Sequence, residues 1–170
     1  YKKTDDPLNR ADAMCLYAPD VTQGSDGRFY LYYVLDKVSI VSVAVSDSPS
    51  GPFSFYGYVC HPDGTLLGSA PGDEPQFDPG VLTEGDTTWL YTGFCPSGDR
   101  SRTGPMVSRL GPDMLTLVSG PKNLLPSQPY SGGSGFEGHE YFEAASIRKI
   151  GETYYFIYSS IVFHELCYAT

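Results

Sequence analysis

An all-β fold is what this sequence predicts, on three observations: a residue mixture poor in helix formers, a hairpin pattern that recurs three times, and turn dipeptides at matching places in each copy. Among 170 residues there are 19 Gly, 14 Pro and 14 Tyr, a composition that suits many short strands joined by tight turns. The 41% hydrophobic content is ample for a core.

The copies are APDVTQGSDGRFYLYY from Ala18, DPGVLTEGDTTWLYTG from Asp78 and EAASIRKIGETYYFIYSS from Glu143. Each opens on an acidic residue in a small or Pro-rich context, then runs through a short apolar stretch, a Gly/acid turn and an aromatic strand. Asp26-Gly27, Gly85-Asp86 and Gly151-Glu152 supply the positive φ or short polar loop that a tight hairpin needs. Phe29 to Tyr33, Trp89 to Thr92 and Tyr154 to Tyr158 are the aromatic, β-branched strands that follow. A third strand is expected from SIVSVAVSDSP at Ser39, PMVSRL at Pro105 and HELCYAT at His164. The alternation of Ser42, Ala44 and Ser46 fits a half-buried strand.

Matching Leu31, Leu90 and Phe156 gives repeats of 59 and 66 residues, slightly long for a four-stranded propeller blade. Insertions explain the excess: residues 61–76 and 126–138 are rich in Gly, Pro and Ser and read as long surface loops. The expected blades are approximately 18–60, 77–118 and 142–170. Three blades do not close a ring, so the reading is a partial β-propeller. A β-sandwich lectin is the competing all-β arrangement.

Asp20, Asp78 and Glu143 open the three repeats and are expected at corresponding places. In a propeller the innermost strands line the central channel, so equivalent positions converge on one mouth. Glycoside hydrolysis needs such a group, with one protonated carboxyl to donate to the leaving oxygen and a second to activate water. A third acid nearby can raise the donor's pKa by like-charge repulsion. Phe77 and Phe142 immediately precede two of the acids and are candidates to wall a sugar site. His164 is a further candidate substrate contact, and Glu140 an alternative proton donor. Trp89 and tyrosines 30, 32, 154 and 158 are read as packing.

In order and rough spacing, the sequence resembles glycoside hydrolase family 43 through Tyr17-Ala18-Pro19-Asp20 with DGRFYLYY, SVAVSDSPSGPF (Ser42 to Phe53), FDPGVL (Phe77 to Leu82) and FEAASIRKIGETYYFIYSS (Phe142 to Ser160). The resemblance implies an inverting hydrolase on a five-bladed propeller, acting on arabinofuranosyl or xylosyl linkages of plant polysaccharides. It implies Glu143 as general acid and Asp78 as the residue that tunes it. The family's base lies in a blade before the APD motif, where only Asp5 and Asp6, in TDDPLN, are Asp-Pro candidates. Neither leads into an aromatic hairpin, so the chain by itself is expected to be inactive. A non-catalytic sugar-binding propeller is the alternative. No cofactor is required, although the resemblance allows a calcium ion; no DxDxDG spacing marks one.

Twenty acidic against eleven basic residues give a net charge of −9, with no Lys/Arg cluster to track a phosphate backbone, which argues against a nucleic-acid partner. An acidic, aromatic-rich surface suits a carbohydrate, because carboxylates accept from sugar hydroxyls and ring faces cover sugar C–H groups. No apolar stretch has the length of a membrane span and YKKTDDPLNR lacks a signal layout, so no membrane partner and a cytoplasmic location are the expectation. Cys15, Cys60, Cys95 and Cys167 show no CxxC or zinc spacing. They are expected as buried thiols, with a disulfide between two of them left open.

Overall fold

The computed structural model describes residues 1–95 and 104–170. Two short 3₁₀ turns, Lys3–Asp5 and Pro7–Asn9, lead into three antiparallel sheets. The first holds β1 (Leu16–Gln23), β2 (Phe29–Leu35), β3 (Val41–Ser46) and β4 (Ser54–Tyr58) in sequence order. The second holds β5 (Gly80–Glu84), β6 (Thr87–Thr92), β7 (Met106–Leu110) and β8 (Leu117–Asn123). The third has three strands, β9 (Tyr141–Ile150), β10 (Thr153–Ser160) and β11 (Leu166–Ala169). Each is a meander whose neighbours in sequence are neighbours in space, the layout of a propeller blade. The first two sheets gain a fourth strand, SFYGY and LVSGPKN, from segments with no clean alternation.

Gly27, Gly85 and Gly151 take φ of +83°, +56° and +62° in the first hairpin of each sheet, as the turn dipeptides require. The aromatic strands become the middles of the sheets because tyrosine and phenylalanine cover both faces of a blade. Tyr30, Tyr32 and Val34 of β2 pack with Val81, Leu90 and Leu110 of the second sheet. Tyr141, Ile147, Phe156 and Tyr158 form the next interface, against Leu82 and Tyr91. Tyr32 Oη, fully buried, donates to the Met114 carbonyl at 2.7 Å, so its polar tip is satisfied inside an apolar layer. Tyr154 stays on the surface, donating to Glu84 Oε2 at 2.7 Å across the second interface.

The innermost strands β1, β5 and β9 lie side by side. Thr22 Oγ1 donates to Thr83 Oγ1 at 3.0 Å between the first two. β5 and β9 approach so closely that a Cβ on Gly80 would stand 2.7 Å from the Ala145 carbonyl oxygen. Gly80→Ala is therefore expected to destabilise the protein by about 1–3 kcal/mol, read as a lower urea midpoint with an unchanged m-value.

The cysteines differ from the expected buried thiols. Only Cys95 is buried, Cys60 and Cys167 are half-exposed, Cys15 is exposed, and no disulfide joins them. Cys15 immediately precedes β1, and Cys167 lies on β11, at one side of the third sheet. Among the described residues no helix is long and apolar enough to cross a membrane.

Candidate active site

A residue of left-handed conformation stands in or just before the first half of each inner strand. Ala18, Asp78 and Ala144 adopt left-handed φ of +47°, +46° and +65°. The β1–β2 register breaks between Tyr17 and Asp20, and the β9–β10 register between Glu143 and Ser146. Such a bulge re-aims the side chains around it.

Aligned on this residue, the three acids do not correspond, contrary to the sequence expectation. Asp20 lies two residues after Ala18, Asp78 is itself the left-handed residue, and Glu143 lies one residue before Ala144. A repeat matched on acids and aromatic strands does not register a bulge, and a shift of one residue turns a side chain to another face.

Asp78 and Glu143 nonetheless come together. Asp78 is 7% exposed, and one of its oxygens accepts from the Ala144 backbone N–H at 2.8 Å, the residue next to Glu143. Burial raises the Asp78 pKa against the opposing effect of that hydrogen bond. Glu143 is half-buried, and its pKa is raised first by burial and then by the Asp78 charge, with His164 acting in the opposite sense. A carboxyl group so placed holds its proton to higher pH than a free glutamic acid, as a proton donor must.

An aromatic train flanks this pair. Phe77, Phe94 and Phe142 stand ring to ring, with centroids 5.5 and 5.4 Å apart, and the His164 ring meets Phe142 edge-on at 4.7 Å. Phe94 carries no sequence signal beyond its place two residues after an aromatic strand. Phe77 is delivered by loop 61–76, which is tied down rather than loose. Asp73 accepts from Gly68 and Ala70 N–H and meets His61 Nε2 at 3.0 Å. Buried Gln76 accepts from Thr92 Oγ1 at 2.6 Å.

Asp20 has a different task. One oxygen accepts from Val81 N–H at 2.9 Å, and Arg148 of β9 grips both oxygens at 3.0 and 3.2 Å. It shares with Asp78 a cavity of about 180 Å³, also lined by Arg148 and the starts of the inner strands. Both of its oxygens are engaged in joining β1 to β5 and β9. The sequence offered no sign of Arg148, whose partner lies 128 positions away. Losing Asp20 leaves Val81 N–H without its acceptor. Asp20→Ala is therefore expected to cost about 1–3 kcal/mol, and Arg148→Ala, removing an exposed cation, no more than about 1 kcal/mol. Thermal melts of the two variants give the order.

Glu140 is also placed away from proton donation. It is 4% exposed and accepts from Ser131 Oγ at 2.6 Å and Gly138 N–H at 3.1 Å. Burial pushes its pKa up, but these donors outweigh it and the net shift is downward. It latches loop 126–138 to the start of β9. Asp6 is fully buried on the far face of the first sheet, accepting from Tyr33 and Tyr58 hydroxyls at 2.7 and 3.0 Å. Asp5 accepts from Lys2 N–H. Neither lines the cavity that holds Asp78.

Comparison with known proteins accords with this architecture. The family model for glycosyl hydrolases family 43 matches residues 2–168. A xylosidase/arabinosidase of Thermoclostridium stercorarium is 71% identical over 170 residues, 100% of this chain and 36% of that protein. The GH43_1 enzyme of Xanthomonas citri complexed with xylotriose superposes with a TM-score of 0.67 at 26% identity, covering 91% of this chain and 50% of the other. A GH43 β-xylosidase/α-arabinofuranosidase from a compost microbial metagenome, solved with xylotriose in a calcium-free form, gives 0.62 at 27% identity over 91% and 52%. The chain thus spans about half or less of the length of these relatives. Its three meanders, joined side by side through β1, β5 and β9 and matched from residue 2 to 168, belong to glycosyl hydrolases family 43 and form part of that family's β-propeller.

Proposed function

We propose that this chain supplies the acid half of the active site of an inverting glycosidase that cleaves arabinofuranosyl or xylosyl linkages. The observation that carries the reading is the pairing of Asp78 with Glu143: both carboxyl pKa values are raised, and Asp78 is fixed to the backbone beside its partner. Glu143 protonates the departing glycosidic oxygen. Asp78 keeps that proton in place by its charge and, through Ala144, sets the position of the β9 bulge. A carboxylate from outside this chain activates water on the opposite face of the sugar, in a single displacement. Phe77 and Phe142 cover the sugar's C–H faces, and His164 approaches its hydroxyls.

The activities of these relatives and their xylotriose complexes favour pentose-containing substrates. For calcium, the residues of this chain are a poor fit. Asp20 and Asp78 are already engaged in the channel, and the one trio of metal-capable side chains among the described residues carries nitrogen and sulfur donors, whereas calcium takes six to eight oxygens.

The test is a panel of nitrophenyl glycosides on the full-length protein, with the anomer of the first-formed sugar followed by NMR. Hydrolysis of α-L-arabinofuranosides or β-D-xylosides with inversion is the expected result. Retention would overturn the mechanism, and binding of xylooligosaccharides without turnover would point to a sugar-binding propeller instead.

A further inference from the structure

We infer that His139, Glu165 and Cys167 form a binding site for a borderline-soft divalent cation such as Zn²⁺, separate from the carboxyl pair. A nitrogen, an oxygen and a sulfur from these residues all lie within 4.8 Å of one another. His139 Nδ1 and Glu165 Oε2 already stand 2.8 Å apart. Imidazole, carboxylate and thiolate are the donor types that zinc accepts, and three protein ligands leave a fourth tetrahedral position for water. Bonds of about 2.0–2.3 Å bring such ligands to about 3.3–3.6 Å from each other, so small side-chain rotations close the trio on the ion.

The backbone beneath these side chains is held in place. His139 precedes β9, and its carbonyl accepts from Tyr158 Oη at 2.8 Å. Tyr158, almost fully buried, stands opposite Cys167 in the β10–β11 pairing. Glu165 closes the intervening turn, its carbonyl accepting from Ser160 N–H at 2.9 Å. Ile161 N–H donates to the Glu140 carbonyl at 2.8 Å, joining that turn to the segment that carries His139. The three ligands therefore come from one rigid corner of the third sheet, and little ordering is left for the ion to impose.

Binding replaces the His139–Glu165 hydrogen bond with two metal bonds and expels the thiol proton to solvent, so affinity rises with pH. The ion also reaches the neighbouring site. Phe163 and His164, both left-handed at φ +57° and +53°, immediately precede Glu165, and His164 packs edge-on against Phe142.

The probe is Co²⁺ titrated into the metal-free full-length enzyme, followed by Zn²⁺ competition. One equivalent is expected to produce a thiolate-to-cobalt charge-transfer band that Zn²⁺ abolishes. Cys167→Ser removes the band, and His139→Ala and Glu165→Gln each weaken Zn²⁺ binding by at least about tenfold, with far-UV circular dichroism unchanged. No band in the wild type, or a band that survives in Cys167→Ser, overturns the site. So does Zn²⁺ affinity that is indifferent to both other variants. None of these readouts depends on turnover, so the roles of Glu143 and Asp78 stand or fall separately.

Discussion

With Glu143 as the proposed general acid, its replacement by Gln in the full-length protein is expected to lower kcat on xylo- or arabino-oligosaccharides by about 10²–10⁴-fold, with sugar binding largely retained. The amide keeps the shape and much of the hydrogen bonding of the acid but has no proton to give, so the loss belongs to the step in which the glycosidic oxygen departs. A nitrophenyl glycoside, whose leaving group needs no proton, should lose far less. That contrast separates a missing acid from a damaged fold, which would depress both substrates together. A variant with wild-type rates on unactivated substrates would falsify the assignment.

Asp78→Asn is the second large effect, and it acts on rate, pH profile and stability in different directions. Asparagine accepts from Ala144 N–H as aspartate does, and it is one of the few residues that tolerate the left-handed φ of +46°. The geometry should therefore survive. Without the Asp78 charge, however, one of the influences raising the Glu143 pKa is gone. The alkaline limb of the kcat/KM profile is expected to move to lower pH, with a lower maximal rate. His164→Ala is expected to shift that limb the other way, because His164 opposes the rise.

Stability follows from the same burial. The Asp78 pKa is raised in the folded protein, so the unfolded chain releases this proton at lower pH than the folded one. Wild-type stability is therefore eroded as pH rises from the ordinary carboxylate range to the folded value, and the cost is complete above it. Below the unfolded value the group makes no difference. Asp78→Asn removes the cost, so the variant's melting temperature, compared with wild type, should gain across that window and hold the gain at neutral pH. A variant less stable at pH 7 than at pH 4, relative to wild type, would contradict the buried, raised carboxyl. Raised stability with lost rate is the pattern expected where a fold keeps a charged group for chemistry.

Much of this architecture was legible in local pattern. Asp26-Gly27, Gly85-Asp86 and Gly151-Glu152 marked the hairpins because positive φ is a demand of a few residues on themselves. The aromatic runs at 29–33, 89–92 and 154–158 marked the blade middles because both faces of those strands are covered. The strands at 54–58 and 117–123 escaped notice because edge strands have one partner and little burial to enforce alternation. Phe77, Asp78, Phe142 and Glu143 were found because each sits beside a repeat start. The clamp of Asp20 on Val81 and Arg148, and the latch of Glu140 on Ser131, were not, because each depends on where a side chain points once sheets are stacked.

By itself, then, the order of residues determined three antiparallel meanders, their turns and the presence of acids at the inner strands, all consequences of interactions within a few residues. Which acid would be raised, which paired and which tied to a loop was decided by the tertiary structure. Burial, the left-handed residues Ala18, Asp78 and Ala144, and partners 61 to 128 positions distant set those outcomes, and carboxyl chemistry depends on its surroundings more than on its neighbours in the chain.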